Sequence, residues 1–468
     1  MPREPLSHAD AAWLRLEEPS SPMTITALLV FGATIPFERL WATFEERLLP
    51  LARFRQCAVQ PRSSQPHWED DPAFDLGYHL QRAPLPLPGD EAALQEVVSA
   101  LLSTPLDLSR PLWQFHLVDP YGSGCALLGR VHHSLADGHA LNQVLCNLTG
   151  VKPAEPTRQG GELVETGRSA RVVDVLAQGG VELLANPRGL LHLARLGTDN
   201  AAALVRLLLR EPDPKTVFKG KLAPAKRVAW SKPVALAEVK KAASLVRGTV
   251  NDVMLAATAG ALRRYLQRSS GMVDGLTLHA GLSVSGRAPG AEPGLGNQVG
   301  ALLVALPVGL ADPLERLAKV KQCMDELKGS PDAGLVAGLL TGLGMAPPEI
   351  REIIVERYCS QDTAMIANVP GPSEQVCLVG APLETLLFWI PAFGRVGLCL
   401  SICSYAGQVR LGVATDQGLV PDPEVIAADF CSEFDALLAL ARQRESSSFE
   451  AMIAILDEAI QTLEAIRL

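Results

Sequence analysis

Histidine is scarce in this chain, nine among 468 residues, yet three of the nine fall within eight positions, at His132, His133 and His139. The segment from Gly129 to Ala140 reads GRVHHSLADGHA, with Asp137 four positions after His133 and Gly138 directly behind it. An imidazole can take and return a proton near neutral pH, provided its ring is neutral, fixed in one tautomer and within hydrogen-bond reach of its target. The apolar run CALLGRV, Cys125 to Val131, reads as a central strand that delivers the chain to the pair. Side chains leaving its end point to alternate sides. His132 and His133 are therefore expected to do different jobs, one facing a cavity and the other held in the protein body. The same alternation argues against a metal site, because adjacent residues in extended geometry seldom bind one ion, and Asp137 and His139 complete no zinc spacing. No metal ligand is assigned. The SLA segment makes a turn, and Gly138 lets backbone come close where a side chain would obstruct. Asp137 is expected to brace the loop through an arginine, unlike the triad aspartate that bonds its imidazole directly.

The elements that would hold this loop alternate between strand-like and helix-like patterns. MTITALLVFG from Met23 reads as a strand, and Trp113, Phe115 and Leu117 alternate as a half-buried strand requires. Leu94, Val97, Val98, Leu101 and Leu102 fall at helical spacing. Residues 1–150 form a first domain on this reading. Residues 151–226 change character: a Pro/Gly-rich polar stretch, then the amphipathic pieces LLHLARL and AAALVRLLLR, read as a linker whose helices pack on a domain or touch lipid. From 227 to 468 the alternation resumes as a second domain. TVNDVMLAATAGALRRYLQ reads as a helix, TLHAGLSVS and GALLVALPV as strands, and LCLSICSYAGQVRLGVATD as a hairpin turning at Ala406 and Gly407. Asp312 before Pro313 and Asp422 before Pro423 each announce a helix, a capping aspartate followed by proline in the first turn.

Composition narrows the classes. With 48% hydrophobic and 20% charged residues the chain is an ordinary globular one, and its length calls for more than one core. A formal net charge of −9 argues against a nucleic-acid partner, which would need a basic face. Nine cysteines without paired spacing are expected as free thiols in a reducing compartment. The start, MPREPLSHADAAW, lacks the apolar run of a secretory signal, and AGLVAGLLTGLGMA from Ala333 is too short to span a bilayer. A cytoplasmic protein is expected, with room for peripheral contact at the inner membrane or lipid inclusions.

HHSLADG matches HHxxxDG, the motif of acyltransferases related to chloramphenicol acetyltransferase and of peptide-synthetase condensation domains. PLSHADAAWLRLEEPSSPM from Pro5, PLW at Pro111–Trp113, TVNDVMLA at Thr249–Ala256 and NVPGP at Asn368–Pro372 occur in matching order along nearly the whole chain. Together they resemble the bacterial wax ester synthase/diacylglycerol acyltransferase family. One departure is Ala367, where a serine often precedes the asparagine. The resemblance implies an α/β fold of two chloramphenicol-acetyltransferase-like domains, each a mixed sheet with flanking helices, and a tunnel at their interface. It implies transfer of a fatty acyl group from acyl-CoA to a long-chain alcohol or diacylglycerol, with His133 as general base and no acyl-enzyme. Acyl-CoA is then a co-substrate, and no cofactor is expected. Asn251, near a helix start, is the candidate for shaping the oxyanion region, and Asp252 supports it or simply caps the helix. LARFRQCAV resembles the condensation-domain segment that supplies an arginine to the motif aspartate, which nominates Arg55, then Arg53. Trp113 is expected to pack a strand beside the site, with direct substrate contact as the alternative, and substrate contacts are expected from Arg287 and Asn297 in the Gly-rich segments between Ser285 and Gly300, with Arg287 meeting a CoA phosphate. Two other classes compete: a condensation-type or small-alcohol acyltransferase with a carrier-bound donor, and a non-catalytic lipid-binding protein. The absence of a carrier attachment site disfavours the first, and the intact HHSLADG disfavours the second.

Overall fold

The computed structural model describes residues 4–61, 66–151, 210–285, 296–297, 299–328 and 332–466. The expected linker helices and Arg287 lie outside the described residues.

Mixed α/β architecture is what the described residues form. One sheet runs β13 (Cys377–Leu378), β14 (Ala381–Trp389), β2 (Thr24–Phe31), β7 (Gly124–His132), β6 (Trp113–Tyr121), β5 (Leu80–Ala83). A second runs β11 (Val299–Leu306), β10 (Leu278–Ser285), β12 (Ala364–Pro370), β15 (Leu398–Tyr405), β16 (Gln408–Asp416), β8 (Lys226–Trp230), with β9 (Val234–Ala235) also pairing β16. Both mix parallel and antiparallel neighbours: β5 lies parallel to β6, and β12 parallel to β10 and β15. A small sheet joins β1 (Glu4–Pro5), β4 (His67–Asp70) and β3 (Gln56–Val59). The first half carries α1 (His8–Leu16), α2 (Phe37–Arg47), α3 (Leu76–His79), α4 (Glu91–Leu102) and α5 (Gly138–Thr149). The second carries α6 (Leu236–Ala243), α7 (Val250–Ser269), α8 (Pro313–Leu327), α9 (Asp332–Leu343), α10 (Pro348–Cys359) and α11 (Pro423–Ile466).

Local chemistry explains the boundaries. Asp312 caps α8 by accepting the Leu314 and Glu315 amides, with Pro313 at the first helical position. Ala406 and Gly407 both take positive φ, the conformation a tight hairpin between β15 and β16 needs. α7 begins with a capping box in which Thr249 and Asp252 satisfy each other's amides, so Asp252 is a cap. The nine cysteines are free, five of them buried.

The halves interlock. β14, from beyond residue 227, pairs with β2 and completes the first sheet, while the next strand, β15, lies in the second sheet. On the edge strand β8, the Lys226 and Val228 amides donate to Ser103 Oγ (2.8 Å) and Ser99 Oγ (3.0 Å) of α4. Those serines cover an edge that would otherwise invite pairing with another chain. α1 packs against α9, and the Arg15 guanidinium bonds the Gly344 carbonyl. α1 is thereby held at the junction of the two halves, beside the histidine loop.

Candidate active site

All of β7 is buried, and its pleat sends Val131 into the core shared with α5 and His132 to the other face. His132 is fully enclosed. Its Nδ1 accepts the Ser134 amide at 3.0 Å, with Ser134 Oγ 2.7 Å away. An Nδ1 that accepts leaves the proton on Nε2, which lies 3.3 Å from Glu17 Oε2. Glu17 also takes the Met23 amide. His132 thus holds the loop in the body of the protein.

His133 has a different surrounding. Its amide donates to the Met23 carbonyl at 2.7 Å, and its ring stacks on Trp13 of α1 with centroids 3.9 Å apart and planes 11° from parallel. His133 Nδ1 lies 2.8 Å from Asn297 Oδ1. Asn297 Nδ2 donates to Asp10 Oδ1 at 2.7 Å and to the His133 carbonyl at 2.6 Å, while the Asn297 amide donates to Asp10 Oδ1 at 3.1 Å. Both groups facing Nδ2 are acceptors, so reversing the amide would set oxygen against oxygen. The orientation of Asn297 follows from that bonding, and with it the tautomer: Nδ1 of His133 carries the proton, and Nε2 keeps its lone pair. Gly296, at φ 110°, makes a backbone bridge to Ala136 and turns the chain into Asn297, a conformation other residues resist. Burial pulls the His133 pKa down to about 4, and burial raises that of Asp10. The ring is therefore neutral at physiological pH.

The other expected residues divide. Asp137 is buried and caps α5 by accepting the Ala140 amide at 2.8 Å. Its expected arginine is corrected: Arg55 is exposed and bonds the Leu49 carbonyl, and Arg53 pairs with Glu4 at 2.5 Å over the Trp68 ring. The small sheet β1–β4–β3 draws both guanidinium groups to itself. Trp113 packs in the strand, and its alternative role in substrate contact is corrected. It is fully buried, donates Nε1–H to the Phe54 carbonyl at 2.8 Å and stacks on His79, a core residue with no face left for substrate. Asn297, expected to touch substrate, instead spends its amide on His133 and Asp10. Gly138 does what a glycine allows: a Cβ there would stand 3.0 Å from Val369 Cγ2, so the motif meets NVPGP closely. Asn251, partly exposed in the first turn of α7, accepts from Asn368 Nδ2 at 3.3 Å.

Asp10, Trp13, Glu17 and Asn368 went unassigned from sequence. Asp10 and Trp13 stand three apart on α1, one helix face, and an acidic residue on a buried apolar face was the available signal. From Gly138 onward, an apolar cavity of about 820 Å3, counting its mouth, runs between α5 and the first sheet. Gly138 is the motif residue on its wall, and the His133 ring is not part of the lining. Among the described residues no group of His, Cys, Asp or Glu is placed to hold a metal ion, and no helix is long and apolar enough to cross a membrane.

The two mixed sheets around a tautomer-fixed histidine define the fold class of the chloramphenicol-acetyltransferase and condensation-domain type. The first condensation domain of the calcium-dependent antibiotic synthetase, solved with a substrate analogue, superposes with a TM-score of 0.59 at 17% identity, over 94% of this chain and 96% of its own. A wax ester synthase/diacylglycerol acyltransferase from Marinobacter aquaeolei VT8 gives 0.66 at 24% identity, over 94% and 99%. In sequence, a Mycobacterium tuberculosis (strain CDC 1551 / Oshkosh) protein named "Putative diacyglycerol O-acyltransferase MT1809" is 27% identical over 472 residues, covering 95% of this chain and 92% of the relative. The wax ester synthase/diacylglycerol acyltransferase catalytic domain matches residues 6–254, and the WS/DGAT C-terminal domain matches 295–438. The chain belongs to the wax ester synthase/diacylglycerol acyltransferase family and is an O-acyltransferase.

Proposed function

We propose that the protein transfers a fatty acyl group from acyl-CoA to the hydroxyl of a long-chain alcohol or diacylglycerol, giving a wax ester or triacylglycerol. The observation that carries this reading is the Asn297 amide, which holds Nδ1–H of His133 and leaves Nε2 free to accept a proton. The alcohol gives its proton to Nε2 as its oxygen bonds the thioester carbonyl carbon. The tetrahedral intermediate then collapses, the carbon–sulfur bond breaks, and the imidazolium returns the proton to the CoA thiolate. Atoms and charge balance without an acyl-enzyme or a cofactor. A positioned base of this kind supplies about 10²–10⁴-fold, and oriented donors around the oxyanion supply more. Asn251, linked to Asn368 at the end of β12, is the side chain we assign to that region. The acceptor and the ester product are both apolar, which fits work at a membrane or lipid-inclusion surface.

The test offers palmitoyl-CoA with hexadecanol, diacylglycerol and a short alcohol in competition and identifies the esters formed. His133→Ala is expected to lose activity by about 10²–10⁴-fold while keeping its melting temperature within a few degrees. A folded His133→Ala protein with full turnover would remove the base, and the mechanism with it. Ester formed only from the short alcohol would overturn the acceptor class.

A further inference from the structure

In the proposed reaction His133 carries a positive charge for the life of the tetrahedral intermediate, yet its burial opposes that charge. The bonds around the ring show what the protein offers in return. Asp137 acts on it through space while capping α5. Asn297 Oδ1, 2.8 Å from Nδ1, brings the dipole of a neutral amide. Behind that amide stands Asp10 of α1. Two N–H groups of Asn297, the side chain at 2.7 Å and the main chain at 3.1 Å, converge on Asp10 Oδ1. Ser7, the cap of α1, adds its hydroxyl to the same carboxyl. These donors suit an ionised carboxylate, which accepts more strongly than any neutral oxygen. The other Nδ2 hydrogen of Asn297 goes to the His133 carbonyl at 2.6 Å, so the amide is filled on every side. Among the described residues no cation bonds Asp10: Arg53 acts on it only from a distance, being paired with Glu4. A buried carboxylate without a counter-ion thus lies one amide away from a ring that becomes a cation only during the reaction.

We infer that Asp10 is a positioning residue for the base: its carboxylate holds the Asn297 amide and, through that amide, stabilises the charge His133 takes on in the reaction. The inference rests on the proposed reaction and deepens it. No proton leaves Nδ1. The carboxylate polarises the amide, Asn297 Oδ1 becomes the better acceptor, and the Nδ1–H bond tightens when Nε2 gains the proton of the alcohol. In the resting enzyme the ring is neutral and the carboxylate has little to act on. In the intermediate the ring is a cation and the carboxylate meets its counter-charge. An interaction that strengthens only as the proton moves lowers the barrier without tightening the substrate, so it acts on kcat and leaves KM. Trp13, three residues along α1 from Asp10, stacks on the ring and keeps its plane in line with the amide.

Asp10→Asn removes the charge and keeps an oxygen for the Asn297 N–H groups. With palmitoyl-CoA and hexadecanol its kcat should fall about 10–100-fold, the worth of one unit charge at the length of this relay, with KM little changed. Nitrogen-15 shifts of labelled His133 should still place the proton on Nδ1, and the Nδ1–H proton should move upfield as its bond weakens. Circular dichroism and melting establish that the variant is folded. Asp10→Ser, smaller and equally uncharged, takes its place if it is not, with the same loss expected. Wild-type kcat in a folded variant, or a loss seen in KM alone, would overturn the inference. The same substitution is then made in His133→Ala protein, where there is no ring charge left to stabilise. There it should cost nothing further. A second 10–100-fold loss in the double variant would show Asp10 acting elsewhere and would sink only the relay, whereas an active His133→Ala protein would sink the reaction itself.

Discussion

At one end of β12, Val369 touches Gly138 of the histidine loop, where Asn297 gives the buried His133 ring a partner of fixed orientation. At the other end, just before Ala364, Asp362 is equally buried, and neither of its oxygens has a hydrogen bond among the described residues. Burial drives both groups toward their neutral forms. His133 falls to about 4; Asp362 rises to about 8, through burial first and the nearby Asp213 charge second. Asp213 is itself well supplied, accepting from the His279 amide at 2.7 Å and Thr363 Oγ1 at 2.6 Å. The contrast separates two things that burial is often credited with together. Burial alone makes a group neutral. Only bonds decide which atom carries the proton, and a base needs that decision made before substrate arrives.

The comparison breaks most easily at Asn297. Asn297→Ala should lower kcat about 10²–10³-fold by freeing the imidazole to take the wrong tautomer, with a smaller effect on KM. Nitrogen-15 shifts of labelled His133 should show the proton leaving Nδ1 for a mixture of sites. Full activity with an unchanged shift would mean that the amide does not set the proton.

A second test is the acid limb of kcat/KM. On the proposed mechanism His133 acts as base only when neutral, and its folded pKa is about 4, so the profile should stay level below the ordinary histidine value of about 6.5 and fall only toward pH 4. A limb centred between pH 6 and 7 would show a ring far better solvated than the geometry allows.

The smallest effect belongs to the other end of the strand. Folded Asp362 keeps its proton up to about pH 8, whereas the unfolded carboxyl loses it near 3.9. The folded state therefore binds more protons across that window, and stability contributed by this group is lost as pH rises through it. Asp362→Asn should leave turnover alone. Its melting temperature should match the wild type at pH 4 and exceed it by a few degrees at pH 8. Parallel melting curves at both pH values would show Asp362 to be solvated.

Features set by neighbours in sequence were legible in it. The β7 strand into HHSLADG, the capping at Asp312, and the turn at Ala406 and Gly407 each follow from a few consecutive residues, and each formed. Partners set by tertiary packing were not. Asn297 lies 164 positions from His133, and its Gly-rich surroundings advertise a loop without naming what the loop reaches. Trp113 shows what alternation leaves open: a strand residue facing a buried side has the same spacing whether it meets substrate or core, and here it meets Phe44, Phe54 and His79. Arg55 failed for the complementary reason. A guanidinium reaches many acceptors, and the Leu49 carbonyl six residues away was nearer than the loop.

The placement of β14 reaches beyond architecture. Parting the halves like a clamshell would strip β14 from β2 along a whole ladder and pull the α4 serines off β8. A body tied in this way does not gape along the seam between its halves. On the proposed reaction, the long-chain substrates would thread in with that seam closed, and the ester formed would have to slide out the same way.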